Sequence, residues 1–379
     1  MPANPLLDAL SDDLGAMLGA LEALVVRESP SRDKPALDAL AADLDARFGS
    51  LGLSRERLPN PVGGDHLRFR LDGDDTQLPA LVLCHFDTVW PLGTLARMPF
   101  QIKEGRAHGP GAYDMKASLV LCEYALRALR SVGRTPPRPV VFLFTSDEEI
   151  GSPTSRPLIE GEARRSAYAL VLEPPLSGDR LKTSRKGVGR FMLEIAGKAA
   201  HAGVEPEKGV NALVELAHQI LAINAIADPS KGTTLNVGAA RGGSTSNVVP
   251  ASASVEIDAR ASTRAEAVRV EGAMSSLRPV VLGASLTVAG GFNRPPMERT
   301  PQTAALFERA RAIGRSLGFE LGEGSTGGGS DGNFTAALGL PTLDGLGAPG
   351  AGAHAENEHI QIDALPARAA LLAALLLEL

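Results

Sequence analysis

Five residues of metal-ligand type stand singly at the ends of apolar runs or in turns: His85, Asp114, Glu149, Glu173 and His354. Two further carboxylates, Asp87 and Glu148, stand beside them. The first four follow one another at intervals of 29, 35 and 24 residues, each about one strand-plus-helix unit. An α/β domain gathers residues so spaced at the carboxyl edge of its sheet. Imidazole nitrogens and carboxylate oxygens are zinc-type donors, so the chemistry expected is hydrolysis at a pair of zinc ions. In HFDTVWP, Asp87 lies two residues past His85 and shares its side of an extended strand, where it can fix the imidazole's tautomer and orientation. In TSDEEIGS the adjacent carboxylates repel unless a cation or a proton relieves them. Glu149 can then ligate a metal while Glu148 serves as general base, because zinc lowers the pKa of its water to roughly 7. Asp114, ending the Gly-Pro-Gly turn of GPGAYDMKAS, reads by itself as a helix N-cap, and the same carboxylate can bridge two metals. Glu173, in VLEPP, supplies a further ligand at a strand end.

The elements that must position these residues are legible in the apolar pattern. Residues 5–26 and 34–52 carry helical spacing. The stretches 78–90, 138–152 and 167–175 read as buried strands running into loops, and 115–133 as an amphipathic helix closed by Gly133. The alternation predicts a mostly parallel sheet with helices on both faces. From about residue 183 the texture changes to β-α-β-β-α-β, the ferredoxin-like unit. The expected organisation is a catalytic α/β domain in two parts, 1–183 and 296–379, with an inserted α+β domain at 184–295.

The chain has 379 residues and a net charge of −6 without a basic stretch, which argues against a nucleic-acid partner. Two cysteines, Cys84 and Cys122, make neither a disulfide framework nor a zinc ribbon and fit a reducing compartment. Cys84 precedes His85 in a strand and so faces the opposite side. The N-terminus carries acidic residues where a secretory signal has basic ones. The apolar tail from Ala364 to Leu379 is too short to span a bilayer and reads as a helix on the core. A cytoplasmic protein with no membrane association is expected.

Taken in order, HFDTV, GPGAYDMKAS, SDEEIGS, LEPP, KAAHAGVEPEKGVNAL, STSNVVPAS, STGGGSDG and GAHAENE resemble the dinuclear zinc carboxypeptidases and aminoacylases, in particular the bacterial glutamate carboxypeptidases. The resemblance covers nearly the whole chain and is weakest over the first 75 residues. It implies two zinc ions per subunit, with cobalt or manganese able to substitute. Asp114 would bridge them, His85 and Glu173 would complete one set, and Glu149 and His354 the other. Asp87 would orient His85, and Glu148 would be the catalytic base. The inserted domain would form a homodimer interface and a lid. His201 would reach across the dimer as an oxyanion donor. Asn247 and Arg260 would hold the substrate carboxylate, with Gly328 and Gly329 lining the same pocket.

Glutamate-selective relatives place a lysine shortly after the glutamate ligand, and Arg180 stands near that position. The resemblance thus favours cleavage of the amide before a C-terminal glutamate or aspartate in peptides or N-acyl amino acids. An aminoacylase of broader range and a non-catalytic zinc-stabilised binding dimer remain as alternatives. The glycine loop lacks the GK[ST] of a phosphate-binding loop, and no GxSxG elbow offers a serine nucleophile.

Overall fold

The computed structural model describes residues 4–379. The chain forms two compact units. One comprises the chain up to Ser184 with Arg299–Thr326 and Ser330–Leu379; the other comprises Arg185–Glu298 with Gly327–Gly329.

The first unit is built on an eight-stranded sheet in the order Ser54–Leu58, His66–Leu71, Val140–Thr145, Ala80–His85, Tyr168–Val171, Thr342–Asp344, Leu181–Arg185, Glu323–Thr326. Its four central strands, from Val140–Thr145 to Thr342–Asp344, run parallel. Ser54–Leu58, His66–Leu71 and Leu181–Arg185 pair antiparallel. ALVLCH and VVFLFT are buried at every position, as strands covered on both faces must be. Side-chain alternation divides them cleanly. Val82, Cys84, Phe142 and Phe144 pack with the helices Leu14–Val25, Lys34–Gly49, Ala117–Ser131 and Ala364–Glu378. Leu81, Leu83, Val141 and Leu143 pack on the other face with Ile159 and Phe334. Cys84 therefore lies in the core, its Sγ 3.7 Å from that of Cys122. The C-terminal tail is the helix Ala364–Glu378, buried against the core.

Two local expectations are corrected. Residues 5–26 form two helices, Pro5–Asp12 and Leu14–Val25, separated by Asp13, whose φ −87° and ψ 0° lie at the edge of the right-handed helical region. Asp114 is not an N-cap: the helix begins at Ala117, and Asp114 sits in the preceding wide turn with extended φ −118° and ψ 92°.

A small antiparallel sheet joins Arg106–His108 to His359–Gln361, whose other neighbour is Gly350–Ala351. The loop carrying His354 is thereby tied to the chain just before the Gly109-Pro110-Gly111 turn. Among the described residues, no helix is long and apolar enough to cross a membrane.

The second unit has strands Gly187–Ala196, Thr234–Gly242, Ser252–Ala261 and Ser285–Arg294, with helices Ala212–Ile226 and Arg264–Ser275. The sheet order, Thr234–Gly242, Ser252–Ala261, Gly187–Ala196, Ser285–Arg294, is antiparallel throughout and is the ferredoxin-like arrangement. Alternate residues Phe191, Leu193, Ile195, Val255 and Ile257 form its own core with Leu216, Ile223, Val270 and Met274. Asn211 and Thr263 cap the two helices, which is the role short polar side chains favour.

Candidate active site

Each residue of the expected ligand set leaves a strand end or a turn of the first unit. His85 is the last residue of Ala80–His85 and is fully enclosed. Its Nε2 lies 3.2 Å from Asp114 Oδ1 and 3.5 Å from Glu173 Oε1. The other oxygen of Asp114, Oδ2, lies 3.3 Å from His354 Nε2, which is also 3.1 Å from Glu149 Oε2. Asp114 thus divides its two oxygens between two imidazoles, each with its own second carboxylate. His354 holds φ +61°, a left-handed conformation that costs a non-glycine residue about 1–3 kcal/mol.

Asp87 does more than face His85. It is wholly buried, and its Oδ1 and Oδ2 accept from the backbone N–H groups of Glu148 and Glu149, both at 3.2 Å. His85 Nδ1 is 3.0 Å from the Asp87 carbonyl oxygen and 3.4 Å from Oδ1. One carboxylate therefore fixes both the imidazole and the acidic loop. Asp147, the first acid of that loop, accepts from Thr154 N at 2.7 Å and Ser155 Oγ at 2.5 Å, which folds the loop back on itself.

Burial makes the charges of the cluster depend on one another. Burial pushes Glu149 up to about 7, against hydrogen bonding by His354. Hydrogen bonds that it donates to Asp114 and Glu149 push His354 up to about 10. Burial works against ionised Asp114, but bonds from His354 and His85 hold it well below the usual carboxylate range. Burial likewise lowers His85, and Asp114, Asp87 and Glu173 more than reverse it. In the metal-free protein, protons on imidazole thus relieve carboxylate repulsion, the task a cation would perform.

The residues fit such a cation. Ligand atoms of His85, Asp114 and Glu149 lie within 4.8 Å of one another, as do those of His85, Glu148 and Glu173. Glu149 Oε1 is buried without a hydrogen-bond partner, an expensive condition for a carboxylate oxygen unless it ligates a metal. The nitrogen and oxygen donor set suits zinc.

The remaining expected residues fall elsewhere. In the second unit, exposed His201 accepts from Gly203 N at 3.2 Å through Nδ1. A backbone bridge pairs His201 with Val248, and Ala202 N donates to the Asn247 carbonyl at 2.9 Å, so His201 and Asn247 share one corner. Arg260 is gripped in a two-pronged pair by Asp258 and donates to the Gly327 carbonyl at 3.2 Å. Buried Arg185 donates to the carbonyls of Gly328 and Gly329. The glycine loop therefore presents carbonyl oxygens to arginines. Arg180, exposed in the first unit, donates to the Ser177 carbonyl at 3.1 Å and lies along Gly322 and Gly324. Ser330 is no nucleophile of a serine triad, since its hydroxyl donates to Asp344 at 2.7 Å.

Several residues missed in the sequence brace this site. Ser31 Oγ donates to Asp87 Oδ2 at 2.7 Å, and Ser29 Oγ to the Phe86 carbonyl at 2.7 Å. Asp331 accepts from Thr145 at 3.2 Å and Ser152 at 2.5 Å, one residue either side of the acidic loop's turn. The clustering of Ser29, Ser31 and Asp33 before an apolar helix was the only available signal for the first pair.

The sequence model of peptidase family M20/M25/M40 matches residues 81–378. The chain belongs to this family. It is 33% identical to carboxypeptidase G2 of Pseudomonas sp. (strain RS-16) over 386 aligned positions, covering 99% of this chain and 92% of that one. It is 30% identical to succinyl-diaminopimelate desuccinylase of Dechloromonas aromatica (strain RCB), covering 78% of this chain and 82% of the relative. The crystal structure of aminopeptidase PepT from Bacillus cereus ATCC 10987 superposes with a TM-score of 0.77 at 23% identity, covering 96% and 98% of the two chains, and shares the fold. As a member of the M20/M25/M40 family the protein is a metal-dependent amide hydrolase.

Proposed function

We propose that the protein is a two-zinc hydrolase that cleaves the amide before a free α-carboxylate, releasing a C-terminal amino acid, glutamate or aspartate in the first instance. The observation that carries this reading is Asp114, with one oxygen toward His85 and Glu173 and the other toward His354 and Glu149. In this reading His85 and Glu173 would hold one zinc and Glu149 and His354 the other, with Asp114 shared between them; cobalt or manganese could take their place. When bound, the ions supply Lewis acidity at the scissile carbonyl and lower the pKa of water.

The chain's own groups do the rest. Asp87 orients His85 and holds the Glu148 backbone. Glu148, grouped with His85 and Glu173, takes a proton from the attacking water and gives it to the leaving nitrogen. From the second unit, His201 reaches across the dimer to donate to the developing oxyanion, while Asn247, Arg260 and the Gly328–Gly329 backbone recognise the substrate carboxylate. The second unit also makes the homodimer, and the enzyme works in the cytoplasm.

A broader aminoacylase is the second reading. Arg180 is committed to its own turn rather than to the cluster, and the relatives include one named as a desuccinylase of succinyl-diaminopimelate. A panel of N-acyl glutamates, other N-acyl amino acids and peptides, offered to chelator-stripped and zinc-restored protein, separates the two. Replacing Glu148 with Gln is expected to lower kcat by about 10²–10⁴ while bound zinc, measured by elemental analysis, is unchanged. Normal turnover in that variant removes Glu148 as the base.

A further inference from the structure

Glu358 follows His354 by four residues, and no step above uses it. Its carboxylate is 1% exposed and makes no ion pair among the described residues, buried Lys116 acting on it only at longer range. It is satisfied by four donors instead. Oε2 accepts from Trp90 Nε1 at 2.8 Å and Gly111 N at 3.0 Å; Oε1 accepts from Tyr113 N and Asp114 N, both at 3.0 Å. Three of the four are backbone N–H groups of one short segment, Gly111–Asp114. The main chain of Glu358 holds both loops as well, since its carbonyl accepts from Gly109 N at 3.4 Å and its N–H donates to the Ala355 carbonyl at 3.0 Å.

We propose that Glu358 is a positioning residue for the metal centre, a carboxylate staple that joins the loop of His354 to the turn of Asp114 and sets how Asp114 spreads its two oxygens. The proposal rests on the reading of Asp114 as the shared ligand. Its physical basis is that the Gly111–Asp114 turn holds itself only in part. The wide turn is closed by Lys116 N to the Gly111 carbonyl at 2.8 Å and by Ala117 N to the Ala112 carbonyl, but Gly111 has φ +73° and Asp114 is outside helical geometry, and the N–H groups of Gly111, Tyr113 and Asp114 go to Glu358 instead. Two N–H groups at each of two oxygens match an ionised carboxylate and nothing smaller in charge. A carboxamide of identical shape would set its own N–H₂ against two of those donors.

The test uses full-length protein stripped by chelator. Zinc is titrated calorimetrically, and cobalt(II) is added separately so that its visible ligand-field band reports the geometry of the bound ion. Glu358→Gln is expected to weaken metal binding about 10- to 100-fold, the range for groups that orient ligands, and to shift the cobalt band. Trp90→Phe, which removes the one side-chain donor and leaves the three backbone bonds, is expected to keep wild-type affinity and an unshifted band. A role in general stability alone would lower the melting temperature of Glu358→Gln and leave the band of its folded fraction unmoved; that result overturns the proposal. Should Glu358→Gln fail to fold, Glu358→Asp keeps the charge but withdraws it by one methylene and is expected to weaken zinc and shift the band in the same sense. A folded Glu358→Asp with wild-type affinity and band overturns the proposal equally. Wild-type protein that takes up neither zinc nor cobalt would instead remove the metal-centre reading itself, and the proposal with it.

Discussion

Glu149 and His354 both carry protons near neutral pH when no cation is bound, with Glu149 at about 7 and His354 at about 10. Both values are raised above the ordinary ones, so the folded metal-free protein binds more protons than the unfolded chain. The contribution of these two groups to stability is present in full below the ordinary carboxylate range and is lost as pH rises, first through the window from that range to about 7 and then from the ordinary imidazole range to about 10. Metal ligation has the opposite sign, because it requires both groups deprotonated. The melting temperature of chelated protein is therefore expected to fall between about pH 5 and about pH 9, while the gain on adding zinc grows over the same range. Calorimetric titration in buffers of different ionisation enthalpy should show proton release on binding at neutral pH. Zinc binding without proton release would mean that the two groups do not ligate it.

At the scale of elements, each ligand loop is held by its neighbours rather than by its own propensity. Gly347 shows how little room that leaves. A Cβ there would stand 2.6 Å from the Leu172 carbonyl oxygen, 2.7 Å from Ser118 Oγ and 2.9 Å from the Glu173 carbonyl oxygen, while Gly347 N bonds that last oxygen at 2.9 Å. The loop after Thr342–Asp344 thus passes directly over the end of Tyr168–Val171, where Glu173 emerges. Gly347→Ala is expected to destabilise the protein by about 1–3 kcal/mol, measured by urea unfolding, and to weaken zinc binding through Glu173. Unchanged zinc affinity in a destabilised variant would separate the packing of this loop from the metal site. The strand ends carrying His85, Glu149 and Glu173 were readable because unbroken apolar runs lead into them: Ala80–Cys84, Val140–Phe144 and Ala167–Leu172. The second unit was readable from strict alternation. What could not be read was support from afar: Ser31 reaches Asp87 across 56 residues, and Glu358 reaches Asp114 across 244. Such residues look like ordinary turn serines or loop acids until the fold brings them inward. Asp114 failed as an N-cap for a related reason, since a polar residue before an apolar run is also what a ligand turn looks like.

The two units of the molecule have separate cores, and the backbone entering and leaving the second is paired. Arg185 N donates to the Met297 carbonyl at 2.9 Å, and Met297 N to the Arg185 carbonyl at 3.0 Å. The intervening chain can therefore be removed and the ends joined by a two-residue Asn-Gly turn, which closes adjacent antiparallel strands. Every ligand-type residue, His85, Asp114, Glu149, Glu173 and His354, lies in the first unit, as do the two apolar clusters that enclose its sheet. A protein lacking residues 186–296 is expected to melt cooperatively and to bind zinc. His201, Asn247 and Arg260 leave with the excised segment, so hydrolysis is expected to fall by about 10²–10³ in kcat for the lost oxyanion donor alone, with a further rise in KM for the lost carboxylate contacts. Folded protein that binds zinc but barely turns over would divide the chemistry between the units: metals and base in one, recognition in the other. Near-normal turnover would mean that the first unit reads the substrate by itself. The search for specificity would then return to the cluster around Asp114 and to Arg180.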